Sequence, residues 1–102
     1  MDHFVYRNGE LYAEDVPLSR IAAEIGTPLF CYSTATLQHH YRVFTEAFSG
    51  VDAAFCYAVK ANANLAVIRT LAEMGAGADV VSAGELERAL AAGVAPAQIV
   101  FS

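Results

Sequence analysis

The sequence predicts an α/β chain: a short β-hairpin, then the N-terminal part of a TIM-type (β/α)8 barrel with about three parallel strands and intervening helices. Three observations carry this prediction. An Asn8-Gly9 pair lies between two β-prone segments. Short apolar segments starting at residues 54, 78 and 98 alternate with amphipathic ones. The amphipathic segments end at glycines, and such alternation indicates right-handed crossovers between parallel strands.

The first 26 residues are predicted to form a hairpin and a short helix. Asn-Gly between β-prone runs is a strong hairpin signal, which predicts paired strands over residues 4–12. A helix is predicted over residues 17–25, because apolar side chains recur there at helical spacing and Gly26 follows. An isolated hairpin is marginally stable in water, so this one is expected to pack against another element.

Residues 28–32 are predicted to form a short strand. A helix then ends at Gly50, and its N-cap oxygen is expected from one of three hydroxyls: Ser33, Thr34 or Thr36. Its apolar stripe is predicted to be core and consists of Leu37, Tyr41, Phe44 and Phe48.

The strand–helix alternation starts with residues 54–59, a nearly continuous apolar run that is typical of a strand buried on both faces. A helix over 65–74 follows, with Asn62 or Asn64 as its cap, and then a strand over 78–81. A second helix over 82–92 begins with a capping-box pattern, Ser82 to Glu85. The last predicted strand starts at residue 98.

Composition narrows the class of protein. The chain has 102 residues, of which 56% are hydrophobic and 17% charged, so it is more apolar than a typical soluble domain. It contains no 18-residue apolar stretch and no signal peptide, so we expect no association with a membrane. The high content of hydrophobic residues instead fits a segment that helps to fill the interior of a larger protein. Three parallel strands cannot close a barrel. We therefore expect the N-terminal portion of a longer protein.

Charge and side-chain chemistry exclude other classes. The net charge is −5 and the six basic residues are scattered, which argues against a nucleic-acid site. Cys31 and Cys56 lie in apolar runs, so we expect buried thiols in a reducing cytoplasm. His39 and His40 are adjacent and point apart on a helix, so the three histidines do not predict a metal site.

Lys60 is the most informative position for chemistry. It is the only lysine, and it follows five consecutive apolar residues at the predicted end of a strand. Barrel enzymes place catalytic groups at the carboxyl ends of their strands, and a nucleophilic lysine needs a desolvated amine. The alternative is a lysine that simply extends into water at a strand end. The pattern alone leaves both interpretations open.

Asp79 occupies the matching position on the next strand, inside an apolar stretch. Its carboxylate could pair with Lys60 or with a cofactor, or it could bind local backbone amides. Ser82 and Glu85 are explained by the start of a helix, although a helix N-terminus can also hold an anion.

Two motifs resemble a known family. Residues 55–62, Phe-Cys-Tyr-Ala-Val-Lys-Ala-Asn, resemble the pyridoxal-lysine motif of the fold-type III pyridoxal-phosphate-dependent decarboxylases, which share the alanine-racemase-like barrel. Residues 75–87 resemble the second motif of that family, at a matching distance. The resemblance implies that Lys60 holds pyridoxal 5'-phosphate as a Schiff base. It also implies that Asp79 lies near Lys60 and the cofactor, and that Ala58 packs near the ring.

Within this family the chain is most similar to the members that decarboxylate meso-2,6-diaminopimelate to L-lysine and CO2. The resemblance implies a homodimer with a small amino-acid substrate, with residues 1–26 packed on a later β-domain and residues 27–102 forming an incomplete cofactor-binding barrel. Other site residues come later in the family, so the 102-residue chain alone is expected to be inactive. The alternatives are an alanine racemase or another pyridoxal-phosphate barrel protein, and a non-catalytic α/β module that assembles through its strand edges.

Overall fold

A computed structural model describes residues 2–102 of the protein and shows two separate three-stranded sheets. The first sheet is antiparallel and consists of β1 (Phe4–Arg7), β2 (Glu10–Ala13) and β3 (Val16–Pro17). Asn8 and Gly9 have φ values of 53° and 80°. These are the positive values that a tight hairpin turn requires, so the predicted hairpin is confirmed. The strand β3 was not predicted.

Two helices follow the hairpin. The helix α1 (Leu18–Ile25) agrees with the predicted span and ends at Gly26. The helix α2 (Thr34–Glu46) begins at Ser33, whose hydroxyl oxygen accepts a hydrogen bond from the Thr36 N–H at 3.1 Å. It ends before Gly50, because residues 47–50 form turns instead of continuing the helix.

The strand predicted over residues 28–32 is absent, which corrects the sequence prediction. Phe30 in this segment is 90% exposed. A β-prone sequence becomes a strand only when a neighbouring backbone pairs with it. Among residues 2–102 no strand pairs with this segment, so it stays extended and unpaired.

The second sheet is parallel and has the predicted alternation of strands and helices. Its strands lie in the order β4 (Cys56–Ala58), β5 (Gly77–Val80) and β6 (Ile99–Phe101). The helices α3 (Leu65–Glu73) and α4 (Ala83–Ala91) connect them in sequence. Asn64 caps α3 and Ser82 caps α4, both as predicted. Between sheet and helices lies the main core: Val59, Ile68, Ala78, Val80, Ala89, Ala92 and Val94.

Only one face of the parallel sheet carries this core. Side chains alternate along a strand, and on the opposite face Cys56 is exposed and Val100 is 52% exposed. The prediction that the first strand is buried on both faces is therefore wrong for residues 2–102. The prediction that both thiols are buried is also wrong, since Cys31 is half-buried and Cys56 is exposed.

The aromatic stripe of α2 packs against Phe55. The ring centroids of Tyr41, Phe44 and Phe48 lie 6.5, 5.6 and 5.2 Å from that of Phe55. Phe44 is nevertheless 58% exposed and Phe48 39%. These residues were predicted to be core, but they form a cluster at the surface because nothing else within residues 2–102 covers them. No helix in the described part of the chain is long and apolar enough to cross a membrane.

Candidate functional site

Lys60 lies in a 3-10 turn, Val59–Ala61, directly after the short strand β4. Its neighbour Val59 is completely buried in the core, whereas Lys60 is exposed. The predicted position at the carboxyl end of a strand is therefore confirmed. The predicted desolvated surroundings of the amine are absent from the described residues, in which Lys60 also belongs to no ion pair.

The segment that follows Lys60 is held by hydrogen bonds from several elements. The Tyr57 hydroxyl donates to the Asn62 carbonyl oxygen at 2.9 Å, and the Asn62 N–H donates to the Val59 carbonyl at 3.1 Å. The Asn64 N–H donates to the Asn62 side chain at 3.0 Å, and Arg88 donates to the Ala63 carbonyl at 3.1 Å. Lys60 thus lies between a buried residue and a loop held by four hydrogen bonds.

Burial raises the pKa of the Tyr57 hydroxyl above its usual value. The hydroxyl therefore stays protonated at neutral pH and serves as the donor to the loop. The sequence predicts only a packing role for Tyr57, because no local pattern signals a hydrogen bond from its hydroxyl to the loop after its strand.

Asp79 lies on β5, directly opposite Ala58 of β4 in the parallel register. The two residues therefore share the sheet face that the helices leave open. The Asp79 carboxylate accepts a hydrogen bond from the Ser102 hydroxyl at 2.6 Å. The alternative in which it pairs with Lys60 is not realised, because no ion pair between them is present in the described residues.

Ser82 and Glu85 start the helix α4, as predicted. The Ser82 hydroxyl oxygen accepts from the Glu85 N–H at 3.1 Å, and the Glu85 carboxylate accepts from the Val81 N–H at 2.9 Å. A carboxylate already occupies this helix N-terminus, and like charges repel, so a second anion is disfavoured there.

A pyridoxal cofactor requires a lysine amine and space for a flat ring beside it. Lys60 supplies an exposed amine at the carboxyl end of the sheet. Ala58, two residues earlier, puts only a methyl group on the open face next to Asp79. The chain's residues therefore fit such a group at its point of attachment and along one side of its ring.

A concave region of about 370 Å³ lies elsewhere on the sheet. Its lining includes Phe55, Cys56, Gly77 and Gln98, which lie at or just before the amino ends of the strands. It is therefore at the end of the sheet away from Lys60. We do not assign it to the cofactor.

Arg88 is a further candidate that the sequence did not indicate. Its contact joins α4 to a loop 25 residues earlier in the chain. Only the packing of consecutive βα units brings these segments together, and no local motif signals it.

Comparison with known proteins agrees with this geometry. The family described as "Pyridoxal-dependent decarboxylase, pyridoxal binding domain" matches residues 34–102. The whole chain is 55% identical to part of the diaminopimelate decarboxylase of Pseudomonas aeruginosa and 52% identical to part of that of Vibrio cholerae. It spans about a quarter (25%) of the length of each of these relatives.

Two solved structures share the fold. A crystal structure from Aquifex aeolicus matches with a TM-score of 0.90 and 45% identity, over 97% of this chain and 24% of that one. Diaminopimelate decarboxylase from M. jannaschii, solved in complex with L-lysine, matches with a TM-score of 0.84 and 36% identity, over 98% and 24%. Since both contain the same arrangement of elements, the predicted fold class is confirmed.

Proposed function

Because the chain belongs to the pyridoxal-dependent decarboxylase family, within its pyridoxal binding domain, we propose that it is part of an enzyme that removes CO2 from an amino acid. The observation that carries this proposal is Lys60, the one lysine of the sequence, exposed at the carboxyl end of a parallel strand. The relatives are about four times as long, so the activity is assigned to a protein of that length.

The substrate we propose is meso-2,6-diaminopimelate, with L-lysine and CO2 as products. Support comes from the names of the two relatives and from L-lysine in the M. jannaschii complex. A small-molecule amino acid is thus the proposed ligand class.

Lys60 would hold the cofactor covalently through its Nζ. When bound, pyridoxal 5'-phosphate supplies an electron-accepting ring for the pair of electrons left behind as CO2 departs. The Ala58 methyl group would face the ring and leave room for it. Asp79 would place a negative charge on the same face, oriented by the Ser102 hydroxyl at 2.6 Å. The Lys60 amine would also be the group placed to assist product release.

The proposal includes a division of the chain. Residues 1–26 would pack on a later β-domain, and residues 27–102 would be the first part of the cofactor-binding barrel. In support of this division, the antiparallel sheet of residues 4–17 pairs with no strand of the parallel sheet. We further propose a cytoplasmic homodimer for the complete protein.

A chimera tests the proposal directly. In it, this chain replaces the corresponding quarter of the P. aeruginosa enzyme, to which it is 55% identical. With diaminopimelate and one equivalent of cofactor, the chimera should release CO2 and form lysine. Borohydride reduction followed by peptide mass spectrometry should find the cofactor on Lys60.

The matched control is Lys60→Arg, which keeps the positive charge but cannot be trapped in this way. It should lose both lysine formation and the label. A labelled chimera that inverts an amino acid without releasing CO2 would favour the racemase. A chimera that folds but carries no label on Lys60 would refute the proposed function and leave the non-catalytic module.

A further inference from the structure

Arg88 is an exposed arginine that contacts the backbone of a distant loop. It lies in the last turn of α4. Its guanidinium donates a hydrogen bond to the backbone carbonyl of Ala63 at 3.1 Å. In residues 2–102 it joins none of the carboxylate ion pairs, whereas Arg69 on the neighbouring helix pairs with Glu73 at 3.2 Å.

The accepting carbonyl belongs to the loop that leads away from Lys60. Asn62, before Ala63, is held by the Tyr57 hydroxyl. Asn64, after it, is fixed by the Ala66 N–H, which donates to its side chain at 2.8 Å. Arg88 therefore holds the middle of this loop, and it does so from a different helix.

The contact also spans two successive βα units. Lys60 follows β4, whereas Arg88 lies on the helix after β5, and the two strands are paired. A guanidinium is a charged donor, so the hydrogen bond to the Ala63 carbonyl is charge-assisted.

We propose that Arg88 is a positioning residue for Lys60: by holding the Ala63 carbonyl, it fixes the loop that orients the Lys60 amine toward the cofactor. This inference rests on the proposed function. A misplacement of about 1 Å can cost a reaction up to 100-fold in rate. The loss of a single hydrogen bond at an exposed site should cost less than this, so we expect the rate of cofactor attachment to fall about tenfold.

The test compares Arg88→Gln with Arg69→Gln in the chimera. Both variants remove one exposed helical arginine, but only the first touches the loop. Arg88→Gln should slow the attachment of cofactor to Lys60 about tenfold, measured by borohydride quenching at timed intervals. Arg69→Gln should stay within about twofold of the parent, and Arg88→Lys should recover part of the loss because it keeps a charged donor.

Hydrogen exchange without cofactor supplies a second readout. The Asn62 N–H, bonded to the Val59 carbonyl, should exchange faster in Arg88→Gln than in Arg69→Gln. Circular dichroism should show the same helix content in all variants.

The outcomes separate the two proposals. If the parent chimera is never labelled at Lys60, the proposed function fails and the positioning role fails with it. If the parent is labelled but Arg88→Gln is labelled equally fast, or exchange of the loop is unchanged, only the positioning role is overturned. Equal slowing in Arg69→Gln would also overturn it, because the effect would then be one of general surface charge.

Discussion

The carboxylate of Glu14 accepts a hydrogen bond from the buried hydroxyl of Ser33 at 2.7 Å. It also accepts the Ala35 N–H at 3.2 Å, which belongs to the first turn of α2. His3 adds a second link through the Thr36 hydroxyl oxygen, which accepts its backbone N–H at 3.0 Å. The antiparallel sheet is therefore attached to the N-terminal end of α2, where a negative charge is favourable.

This attachment should depend on pH. The Ser33 hydroxyl first, and then the Ala35 N–H, lower the pKa of Glu14 below its usual value. A carboxyl group with a lowered pKa stabilises the fold above its unfolded-state pKa of about 4.3, and that stabilisation is lost as pH falls through the folded-state value. Denaturant unfolding of the chain from pH 7 to 3 should show this loss. Glu14→Gln should weaken the pH dependence, whereas Glu24→Gln, on the exposed side of α1, should retain it.

Ser33→Ala should lower the free energy of unfolding by about 1–2 kcal/mol, because it removes both the cap of α2 and the donor to Glu14. Ser49→Ala, at an exposed turn position, should change it by less than about 0.5 kcal/mol. A double-mutant cycle with Glu14→Gln isolates the contact between the two side chains. Strictly additive effects would mean that this hydrogen bond contributes nothing to stability.

Gly77 marks the tightest approach within the parallel sheet. A Cβ atom there would lie 2.3 Å from the Gln98 carbonyl oxygen and 3.0 Å from the Cys56 sulfur. Gly77→Ala should therefore cost about 1–3 kcal/mol or more, as overpacking does. At Gly84, in α4, the nearest atom is 3.9 Å away, and Gly84→Ala should stabilise by up to about 1 kcal/mol. Similar unfolding midpoints for the two variants would contradict the close strand approach.

Two adjacent residues in the turn after β4 should behave differently. Val59→Ala should destabilise the chain by about 1–3 kcal/mol, since Val59 is completely buried. Lys60→Met should leave stability within about 0.5 kcal/mol, because Lys60 is exposed and has no ion-pair partner in the described residues. Thermal melts of both variants check this. A large loss in Lys60→Met would indicate that the lysine serves the fold.

The 102-residue chain alone should not decarboxylate diaminopimelate, because it spans only about a quarter of the relatives. The measurement is lysine formation by purified chain with cofactor and substrate, against a sample without protein. The chimera serves as the positive control. Turnover by the short chain above background would contradict this prediction.

Many elements of this fold can be predicted from local signals in the sequence. The Asn8-Gly9 turn, the hydroxyl of Ser82 and the Asn64 cap each act on neighbouring backbone, so the sequence predicts them directly. The position of Lys60 was predictable for the same reason, since five apolar residues precede it and helical periodicity follows.

Features that depend on distant partners were not predictable. Residues 28–32 carry strand propensity but lack a pairing strand within residues 2–102, and the aromatic rings of α2 lack a covering layer there. The sequence offered several possible partners for Asp79. Its bond to the Ser102 hydroxyl depends on the pairing of β5 with β6, which brings the residue after β6 close to Asp79. The contacts of Arg88 and of Glu14 join segments 25 and 19 residues apart, beyond the range of any local pattern.

The one-sided helix layer has a consequence for how the isolated chain behaves in solution. The open face of the parallel sheet exposes Val100, and Phe101 at its edge is 63% exposed. At low ionic strength the net charge of −5 keeps copies of the chain apart. Salt shortens the range of that repulsion to about 8 Å at 0.15 M but leaves apolar attraction intact. Ionic strength would therefore control self-association. The chain should stay monomeric in water without salt and associate increasingly at physiological ionic strength.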